Sequence, residues 1–508
     1  MEKYLFIDLF CGAGGVTSGI EAAAIAGEKC AEVIACVNHD PLAIVSHQVN
    51  HPNAFHFTED IRTLDLTELT NIVKLARIKQ PDAIICLWAS LECTNFSKAK
   101  GGLPRDGDSR TLADHLYRYI EAINPDMIWI ENVTEFQSWG PLDENGKPIS
   151  KKNGIDYIRW TNHIADYGYN WDRRELNCAD FGAYTSRIRL FMQFTKSHVQ
   201  ITWPLPTHAK KVETTSLFSN KLNPWKAVKD VLNFTDEGES IFNRKTPLVE
   251  KTLERIYAGL IKFVAKGDES FLLKYNSFNA KTGVYHAPSI HQPCPTVAVQ
   301  GRLGLVKVCF IQKHFSGRPE GKVTSIETAA GTLTTTCNQS LISCNFISTY
   351  YKNGSNIDTK TAAPTITTKD RLSLITTKPF LMHAMFRSKG SSIDKPCFTL
   401  IARMDKTPPY LIQAKNGGIK IEILKDDSST MIKIKKLMVE YQIEDILMRM
   451  LRIGELKLIQ GFSADYYLAG NQNDQKKFIG NSVPPPMVKA LIEASCKENL
   501  LKPKMMTA

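Results

Sequence analysis

The N-terminal stretch KYLFIDLFCGAGGVTSGIEAAAIAG constrains the fold more than any other part of the 508-residue chain. Residues 4–9 form a short apolar run that is typical of a buried strand. Gly12, Gly14 and Gly15 follow, and glycine lets the backbone turn tightly and approach a ligand. The apolar spacing of residues 17–26 then predicts a helix. A strand, a glycine turn and a helix indicate a nucleotide-binding α/β unit, with its ligand at the carboxyl end of the first strand.

Further apolar runs alternate with helical segments in the first quarter of the chain. They read EVIACVNHD, DAIICLW and DMIWIENV, and HFTEDI follows the helix-like stretch after the first of them. This alternation predicts a parallel sheet that is covered by helices on both faces. Residues at the ends of such strands are placed for chemistry, and five candidates fall at or just past these ends: Asp8, Asn38, Asp60, Cys93 and Glu131. The glycines do not match G-x-G-x-x-G, which disfavours a nicotinamide dinucleotide ligand.

Composition sets broad limits on the function. The chain has 63 Lys and Arg against 52 Asp and Glu, and this net charge of +11 suits either a nucleic-acid partner or an ordinary basic surface. No apolar run is long enough to cross a membrane, and the N-terminus does not resemble a secretory signal. The twelve cysteines include no C-x-x-C pair, which disfavours a zinc ribbon and predicts a reduced, intracellular protein with mostly buried thiols.

Six motifs occur in an order that is specific when they are taken together. They are DLFCGAGG near the N-terminus, ECTNFS around Cys93, ENV at 131–133, TSRIR at 185–189, ELKLIQGF at 455–462 and GNSVPPPM at 480–487. In this order they resemble the motifs of the DNA (cytosine-5)-methyltransferase family. The resemblance implies an α/β fold: a Rossmann-like, S-adenosylmethionine-dependent methyltransferase domain with a mostly parallel sheet, plus a β-rich target-recognition domain. The implied activity is methylation of C5 of a flipped-out cytosine in a specific double-stranded DNA sequence.

The resemblance implies four catalytic residues. Cytosine C5 is a weak nucleophile, and addition of the Cys93 thiolate at C6 would activate it. Glu131 would give a proton or a strong hydrogen bond to N3, for which burial must raise its pKa. Arg187 and Arg189 would lie near the base and its phosphate, where their charge favours the thiolate. Taken alone, Cys93 could instead be a buried thiol or a metal ligand, Glu131 a strand-end anchor, and the arginines solvent-facing residues.

The cofactor residues also follow from the resemblance. Phe10, Gly12 and Gly14 would line S-adenosylmethionine, Asp60 would bind its adenine amino group, and the C-terminal motif would complete the pocket through Asn481, Ser482 and Val483. Asn38 stands where the family often has a glutamate that binds the ribose. Either Asn38 or Asp40 could take that role, and Asp40 could equally cap a helix. No metal is expected.

Three departures from the family pattern keep other functions open. Glu92 replaces the proline before the cysteine, Leu91 stands where a second proline is frequent, and Thr185 replaces the glutamine of Gln-x-Arg-x-Arg. Glu92 adds a negative charge that opposes thiolate formation unless it is paired. A catalytically weak relative that only binds DNA is therefore one alternative. The branch of the family that methylates transfer RNA is another, although the long middle segment argues against that compact branch.

The middle of the chain contains four similar segments. Their aligned threonines are Thr296, Thr332, Thr365 and Thr399, and each segment predicts a hairpin-like unit with a polar tip. The regular spacing of these threonines is compatible with a solenoid or a propeller, although four uneven units are few for either fold. By resemblance this is the target-recognition domain. The tip residues expected to contact base edges are Gln300, Arg302, Lys369, Arg371 and Arg403. Ser97 and Thr185 are expected to contact DNA as well. Alternatively, the tips are ordinary polar turns.

The prolines of WPLPTH mark a predicted domain boundary. We expect a first catalytic part at 1–205, the target-recognition domain at 206–440, and a return to the catalytic domain at 441–508. An amphipathic helix is predicted at 248–264, and helices are predicted from 441 to 462 and after Asn481. The expected partner is double-stranded DNA, with a separate restriction endonuclease as a functional partner. A monomer in the cytoplasm, encoded by a bacterium or a phage, is expected.

Overall fold

The structure is a computed structural model of the chain. It describes residues 3–91, 112–211, 222–263 and 423–500, apart from 142, 145–148, 151–152, 234, 237, 243 and 441–442. Between 264 and 422 it describes Asp394 and the strands given below. The chain divides into two compact units, Met1–Trp225 with Lys457–Ala508, and Lys226–Leu456. The boundaries predicted at 205 and 440 lie earlier in the chain than these divisions.

A seven-stranded sheet forms the centre of the first unit. The strands of this unit are β1 (Tyr4–Leu9), β2 (Ala24–Ile25), β3 (Glu28–Lys29), β4 (Ala31–Val37), β5 (Phe55–Phe57), β6 (Ile84–Ser90), β7 (Met127–Asn132), β8 (Asn170–Asn177), β9 (Thr185–Ser186), β10 (Ile188–Thr195), β11 (His208–Ala209) and β12 (Asn223–Pro224). The order in the sheet is β5-β4-β1-β6-β7-β10-β8. The first five strands pair in parallel, and β10 is antiparallel to β7 and β8. The predicted mostly parallel α/β sheet is confirmed.

Helices alternate with these strands. They are α1 (Gly15–Glu21), α2 (Pro41–Asn50), α3 (Leu66–Lys79), α4 (Leu116–Ile123) and α5 (Ile155–Asp166). One predicted boundary is wrong: the helix expected at 17–26 ends at Glu21, and β2 pairs with β3 in a short hairpin. Gly27 has a φ of 87°, a conformation that glycine adopts without strain, and it lies in the connection of this hairpin.

The hydrophobic core lies on both faces of the sheet, as expected for parallel strands. All six residues of β1 are buried. Leu5, Ile7 and Leu9 join a cluster with residues of α3, α4 and α5, whereas Tyr4 and Phe6 pack with α1 and the C-terminal helix. Successive side chains of a strand point to opposite faces, and this alternation assigns each apolar residue of β1 to one of the two clusters. The C-terminal helix is therefore part of the core of the first unit.

The second unit contains α6 (Glu250–Phe263), a short strand before it, and further strands and a second helix after it. These are β13 (Glu239–Ser240), β14 (Cys294–Pro295), β15 (Gly304–Val306), β16 (Phe310–Lys313), β17 (Val323–Thr324), β18 (Gln339–Ile342), β19 (Asn345–Thr349), β20 (Ile357–Asp358), β21 (Leu372–Thr376), β22 (Phe380–His383), β23 (Pro409–Asn416), α7 (Ser429–Glu440) and β24 (Ile443–Met450). One sheet has the order β13-β24-β15-β22-β23, and two others have the orders β17-β16-β18 and β20-β19-β21.

Each of the four similar segments contains a strand in its second β-rich run, namely β15, β18, β21 and β23. The aligned threonines and the polar tips lie outside the described residues. The prediction of one helical stretch from 441 to 462 is wrong, because Ile443–Met450 is a strand that pairs along β23. Hydrogen bonding to a neighbouring strand, which sequence periodicity does not report, decided this segment in favour of a strand.

The chain then continues through α8 (Ile453–Gln460), α9 (Gln472–Asn481) and α10 (Pro485–Leu500). Asn471 and Asp474 form a capping box at the start of α9, in which each side chain accepts a backbone N–H of the first turn. The helix predicted after Asn481 is confirmed as α10. Among the helices in the described part of the chain, none has both the length and the apolar character needed to span a bilayer.

Candidate active site at the carboxyl edge of the sheet

Several of the predicted site residues lie at the carboxyl ends of the parallel strands. Phe10 follows β1, Asn38 follows β4, and Glu131 lies at the end of β7. Ser90, the last residue of β6, is the register partner of Glu131. In open α/β sheets, ligands bind in the crevice outside this edge. The edge is therefore the candidate active site of the first unit.

Glu131 is buried beside an arginine. Its Oε1 lies 3.2 Å from Nε of Arg189, and the side chains are only 7% and 9% exposed. Burial raises the pKa of Glu131, while Arg189, Arg187 and a hydrogen bond with Ser90 act in the opposite direction. The carboxyl group thus keeps its proton to a higher pH than an exposed glutamate, because burial disfavours the charged form more than the arginines favour it.

The two arginines are held differently, and both are buried. Arg187 Nη1 donates to the carbonyl oxygen of Gly480 at 3.1 Å, and Arg189 Nη1 donates to that of Ile188 at 2.8 Å. The alternative of solvent-facing arginines is therefore wrong, since they are 3% and 7% exposed. Through Gly480, Arg187 connects the strand end to the last motif of the chain. Sequence alone did not indicate that link.

Asn132 connects two neighbouring strand ends. Its Nδ2 donates to the carbonyl oxygen of Leu91 at 3.4 Å, and its Oδ1 accepts from the N–H of Val133 at 2.7 Å. Leu91 is the last described residue before the segment that carries Cys93 and Ser97. Those two residues lie outside the described part of the chain, as does Glu92. Asn132 therefore anchors the backbone at the point where that segment begins.

The glycine turn after β1 has an unusual backbone. Phe10 has a φ of 58° although it is not glycine, and Gly12 and Gly14 have φ values of 54° and 95°. A non-glycine residue with positive φ is uncommon and needs support from its surroundings. An added Cβ on Gly12 would meet no atom within 4 Å. The turn therefore presents open backbone at Gly12, beside the carboxyl end of β1.

The last motif packs directly on this turn. An added Cβ on Gly15 would lie 2.8 Å from Cβ of Ser482 and 2.9 Å from the carbonyl oxygen of Val483. Val483 is buried, whereas Asn481 is exposed at the end of α9. Gln460 Nε2 donates to the carbonyl oxygen of Ser482 at 2.6 Å. Two motifs that are far apart in the sequence therefore meet through a contact that only glycine permits.

A tyrosine that sequence reasoning missed supports the same turn. Tyr466 donates through its hydroxyl to the carbonyl oxygen of Ala13 at 2.7 Å and lies 3.1 Å from Nε2 of His51. Its ring packs on Phe462, with the ring centroids 4.5 Å apart. The only sequence signal was its position four residues after the GF of the fifth motif, and no periodicity distinguishes it.

The predicted ribose and adenine residues already have protein partners. Asp40 accepts from the N–H groups of Leu42 and Ala43 and pairs with Lys477 at 2.7 Å. Asp40 is therefore the N-cap of α2, which was one of the two roles considered for it. The side-chain oxygen of Asn38 accepts from the N–H of Asp40 at 2.9 Å, and its amide N–H groups have no hydrogen-bond partner among the described residues.

Asp60 and Thr185 have different surroundings. Asp60 forms an ion pair with Arg62 at 2.6 Å, and this arginine lowers the pKa of its carboxyl group. Thr185 is fully buried, and its hydroxyl has no hydrogen-bond partner among the described residues. The other predicted DNA-contacting residues lie outside the described part of the chain: Gln300, Arg302, Lys369, Arg371 and Arg403.

The family is decided by a match that spans nearly the whole chain. The model of the C-5 cytosine-specific DNA methylase family matches residues 4–497. The chain belongs to this family. The family predicted from the six motifs is thereby confirmed, and so is the prediction of a DNA methyltransferase at the level of the family.

Individual relatives of this C-5 cytosine methylase are distant. The type II methyltransferase M.AquIA of Picosynechococcus is 27% identical over 238 residues, which are 46% of this chain and 89% of that protein. M.AgeI of Thalassovita gelatinovora is 26% identical over 203 residues, 40% of this chain and 42% of its own length. The solved structure of the Entamoeba histolytica methyltransferase EhMeth covers 99% of this chain and aligns over all of its own, at 12% identity and a TM-score of 0.43.

Proposed function

We propose that this protein methylates C5 of cytosine in double-stranded DNA, with S-adenosylmethionine as the methyl donor and Cys93 as the nucleophile. The observation that carries the proposal is the buried carboxyl group of Glu131 beside Arg189, at the end of the strand next to β6. A protonated carboxyl group can donate a proton or a hydrogen bond to a pyrimidine ring, and this stabilises the negative charge that develops there when a nucleophile adds. Family membership supports the choice of cytosine.

In the proposed reaction, the Cys93 thiolate forms a bond to C6 of the base. The ring electrons move toward N3 and C5, and the Glu131 carboxyl group donates a proton or a hydrogen bond at N3. C5 then bonds the methyl group as its bond to the donor sulfur breaks, and S-adenosylhomocysteine is released. A base removes the C5 proton, the N3 proton returns to Glu131, and the C6–sulfur bond breaks to restore the Cys93 thiolate. C6 is stacked inside a duplex, so the cytosine must first be flipped out of the helix.

The residues of the glycine turn suit S-adenosylmethionine. Gly12 offers open backbone, and Asn38 keeps amide N–H groups that can donate to a ribose hydroxyl oxygen. We propose that Phe10, Gly12, Gly14 and Val483 line the bound cofactor and that Asn38 contacts its ribose. Asp60, Asn481 and Ser482 remain proposed contacts at the ends of the same edge. When bound, the cofactor would supply the electrophilic methyl group.

We also propose that the middle of the chain reads the DNA sequence. Its described part is rich in strands, and the polar tips carry the side chains that pair with base edges in the major groove. Target choice would then depend on Arg302 and Arg371, whereas Arg187 and Arg189 would act at the flipped base. Because two relatives are named type II methyltransferases, a restriction endonuclease with the same target is the proposed functional partner.

The test is label transfer from tritiated S-adenosylmethionine. The full-length protein is incubated with mixed-sequence duplex DNA and, in parallel, with transfer RNA. We expect label in DNA with the intact protein and none with Cys93→Ser. Buried Cys30→Ser serves as the matched control, because it makes the same chemical change at the residue before β4, at the opposite end of that strand from the candidate active site.

Three outcomes would contradict the proposal. Equal labelling by the intact protein and Cys93→Ser would exclude Cys93 as the nucleophile. DNA binding without any labelling would favour a catalytically weak DNA-binding relative. Labelling of transfer RNA in preference to DNA would assign the protein to the RNA-modifying branch.

A further inference from the structure

Two thiols and an imidazole are buried together behind the glycine turn. Cys11, Cys36 and His47 are each 5% exposed or less. Their two Sγ atoms and one ring nitrogen of His47 all lie within 4.8 Å of one another. Cys11 belongs to the glycine turn, Cys36 to β4 and His47 to α2. Spacing in the sequence could not reveal this cluster, because its three members come from three separate elements.

The strand register brings further polar groups to the same place. Cys36 is paired in register with Asp8 of β1 on one side and with His56 of β5 on the other. These three side chains therefore lie in a row on one face of the sheet. Nε2 of His56 is 3.0 Å from Nδ1 of His47. The row and the helix above it enclose a site that is rich in sulfur and nitrogen.

The hydrogen bonds around His47 indicate which ring nitrogen can act as a ligand, once its 3.0 Å contact with Nε2 of His56 is exchanged for the metal. Thr17 donates its hydroxyl proton to Oδ2 of Asp8 at 2.9 Å, and its oxygen lies 2.9 Å from Nε2 of His47. That oxygen must then accept from Nε2–H, so Nδ1 of His47 carries a lone pair. Metal-binding histidines are usually oriented by such a hydrogen bond on the opposite nitrogen.

We propose that Cys11, Cys36 and His47 bind one zinc ion behind the glycine turn. Sγ of Cys36 is 3.7 Å from Nδ1 of His47. Tetrahedral zinc with ordinary Zn–S and Zn–N bonds separates a sulfur and a nitrogen ligand by about 3.6 Å. Thiolate and imidazole together select zinc rather than magnesium or calcium, which prefer oxygen ligands. His56 lies outside this group of three, but its Nε2 is 3.0 Å from Nδ1 of His47, so a shift of its ring would bring it to the fourth position.

Zinc binding balances the charges of this buried site. Two thiols each lose a proton to solvent, and the two thiolates together neutralise Zn²⁺. The ion would hold the turn after β1 to β4 and α2, and a fully protein-ligated site of this kind has a structural role. A reduced hydrogen-bonded cluster without metal, or a disulfide between Cys11 and Cys36, would give different results in the following tests.

The first test measures metal in the full-length protein, purified in reducing buffer and dialysed against trace zinc. We expect about one zinc per chain, and its loss in both Cys36→Ser and His47→Gln. The matched control is Cys30→Ser, which removes a buried cysteine that lies near Cys496. This control should keep the zinc. Circular dichroism of each variant separates loss of the ligand from loss of the fold.

The second test needs no variant. X-ray absorption of the zinc-loaded wild-type protein should show two sulfur neighbours, with nitrogen completing the shell. Cobalt substitution should give the visible bands of tetrahedral, thiolate-bound Co²⁺. Protein without zinc, zinc that persists in both ligand variants, a shell without sulfur, or a Cys11–Cys36 disulfide in the intact mass would each overturn the proposal. Because none of these readouts depends on methylation, they also remain valid if the proposed function is wrong.

Discussion

Replacing Glu131 by glutamine tests the proposed chemistry most directly. The change keeps the shape of the side chain and removes the acidic proton. A general acid in the transition state contributes about 10²- to 10⁴-fold to a rate, so we expect the methylation rate constant of Glu131→Gln to fall by that factor. Glu135→Gln is the matched control, since Glu135 lies four residues further along, in a 3-10 turn, and is only partly buried.

The effect on stability follows from the buried ion pair. When the Glu131 carboxyl group is ionised, it and Arg189 attract each other by about 5 kcal/mol, at 3.2 Å and an effective dielectric constant of about 20. The pKa of Glu131 is nevertheless raised, so burial destabilises the charged carboxylate by more than its partners stabilise it. A raised pKa contributes stability that is present below the unfolded-state value and is lost as pH rises through the folded-state value.

The stability of the Glu131→Gln variant relative to the wild type should therefore increase as the pH rises. We expect the difference in unfolding free energy to shift in favour of Glu131→Gln across that window, at about 1.4 kcal/mol for each unit by which the pKa is raised. Urea unfolding at several pH values measures this shift, and rapid quench under single-turnover conditions measures the methylation rate. A rate within threefold of the wild type, in a folded variant, would refute the role of Glu131 as the acid.

Three further predictions concern the surrounding residues. Gly15→Ala should lower the free energy of unfolding by about 1–3 kcal/mol in urea titrations, because the new Cβ would lie 2.8 Å from a side-chain carbon of the last motif; an unchanged midpoint would contradict this packing. Asn38→Ala should raise the KM for S-adenosylmethionine, whereas Asp40→Ala should mainly destabilise the protein, by about 0.5–2 kcal/mol, because Asp40 caps α2. The reverse pattern in KM would assign the ribose contact to Asp40. Arg302→Ala or Arg371→Ala should relax the choice of DNA sequence without changing the KM for the cofactor, and sequencing of methylated sites in a random library measures this choice.

Local patterns were sufficient for the elements that depend on nearby residues. The apolar run of β1, the glycines after it and the capping residues of α2 act within a few positions, so the sequence predicted the start of the sheet correctly. The order of the motifs also predicted the family. The segment from 443 to 450 was predicted wrongly, because its conformation is fixed by pairing with β23 and not by its own periodicity.

The sequence by itself determined the chemistry that is available: the glycine turn, the glutamate at the end of β7, the two arginines and the order of the motifs. Only the tertiary structure decided which groups meet. It paired Glu131 with Arg189, linked Arg187 to Gly480, and buried Cys11 with Cys36. The physical reason is that pKa values and ligand sets depend on distance and burial. Both arise from strand register and helix packing between residues that are remote along the chain.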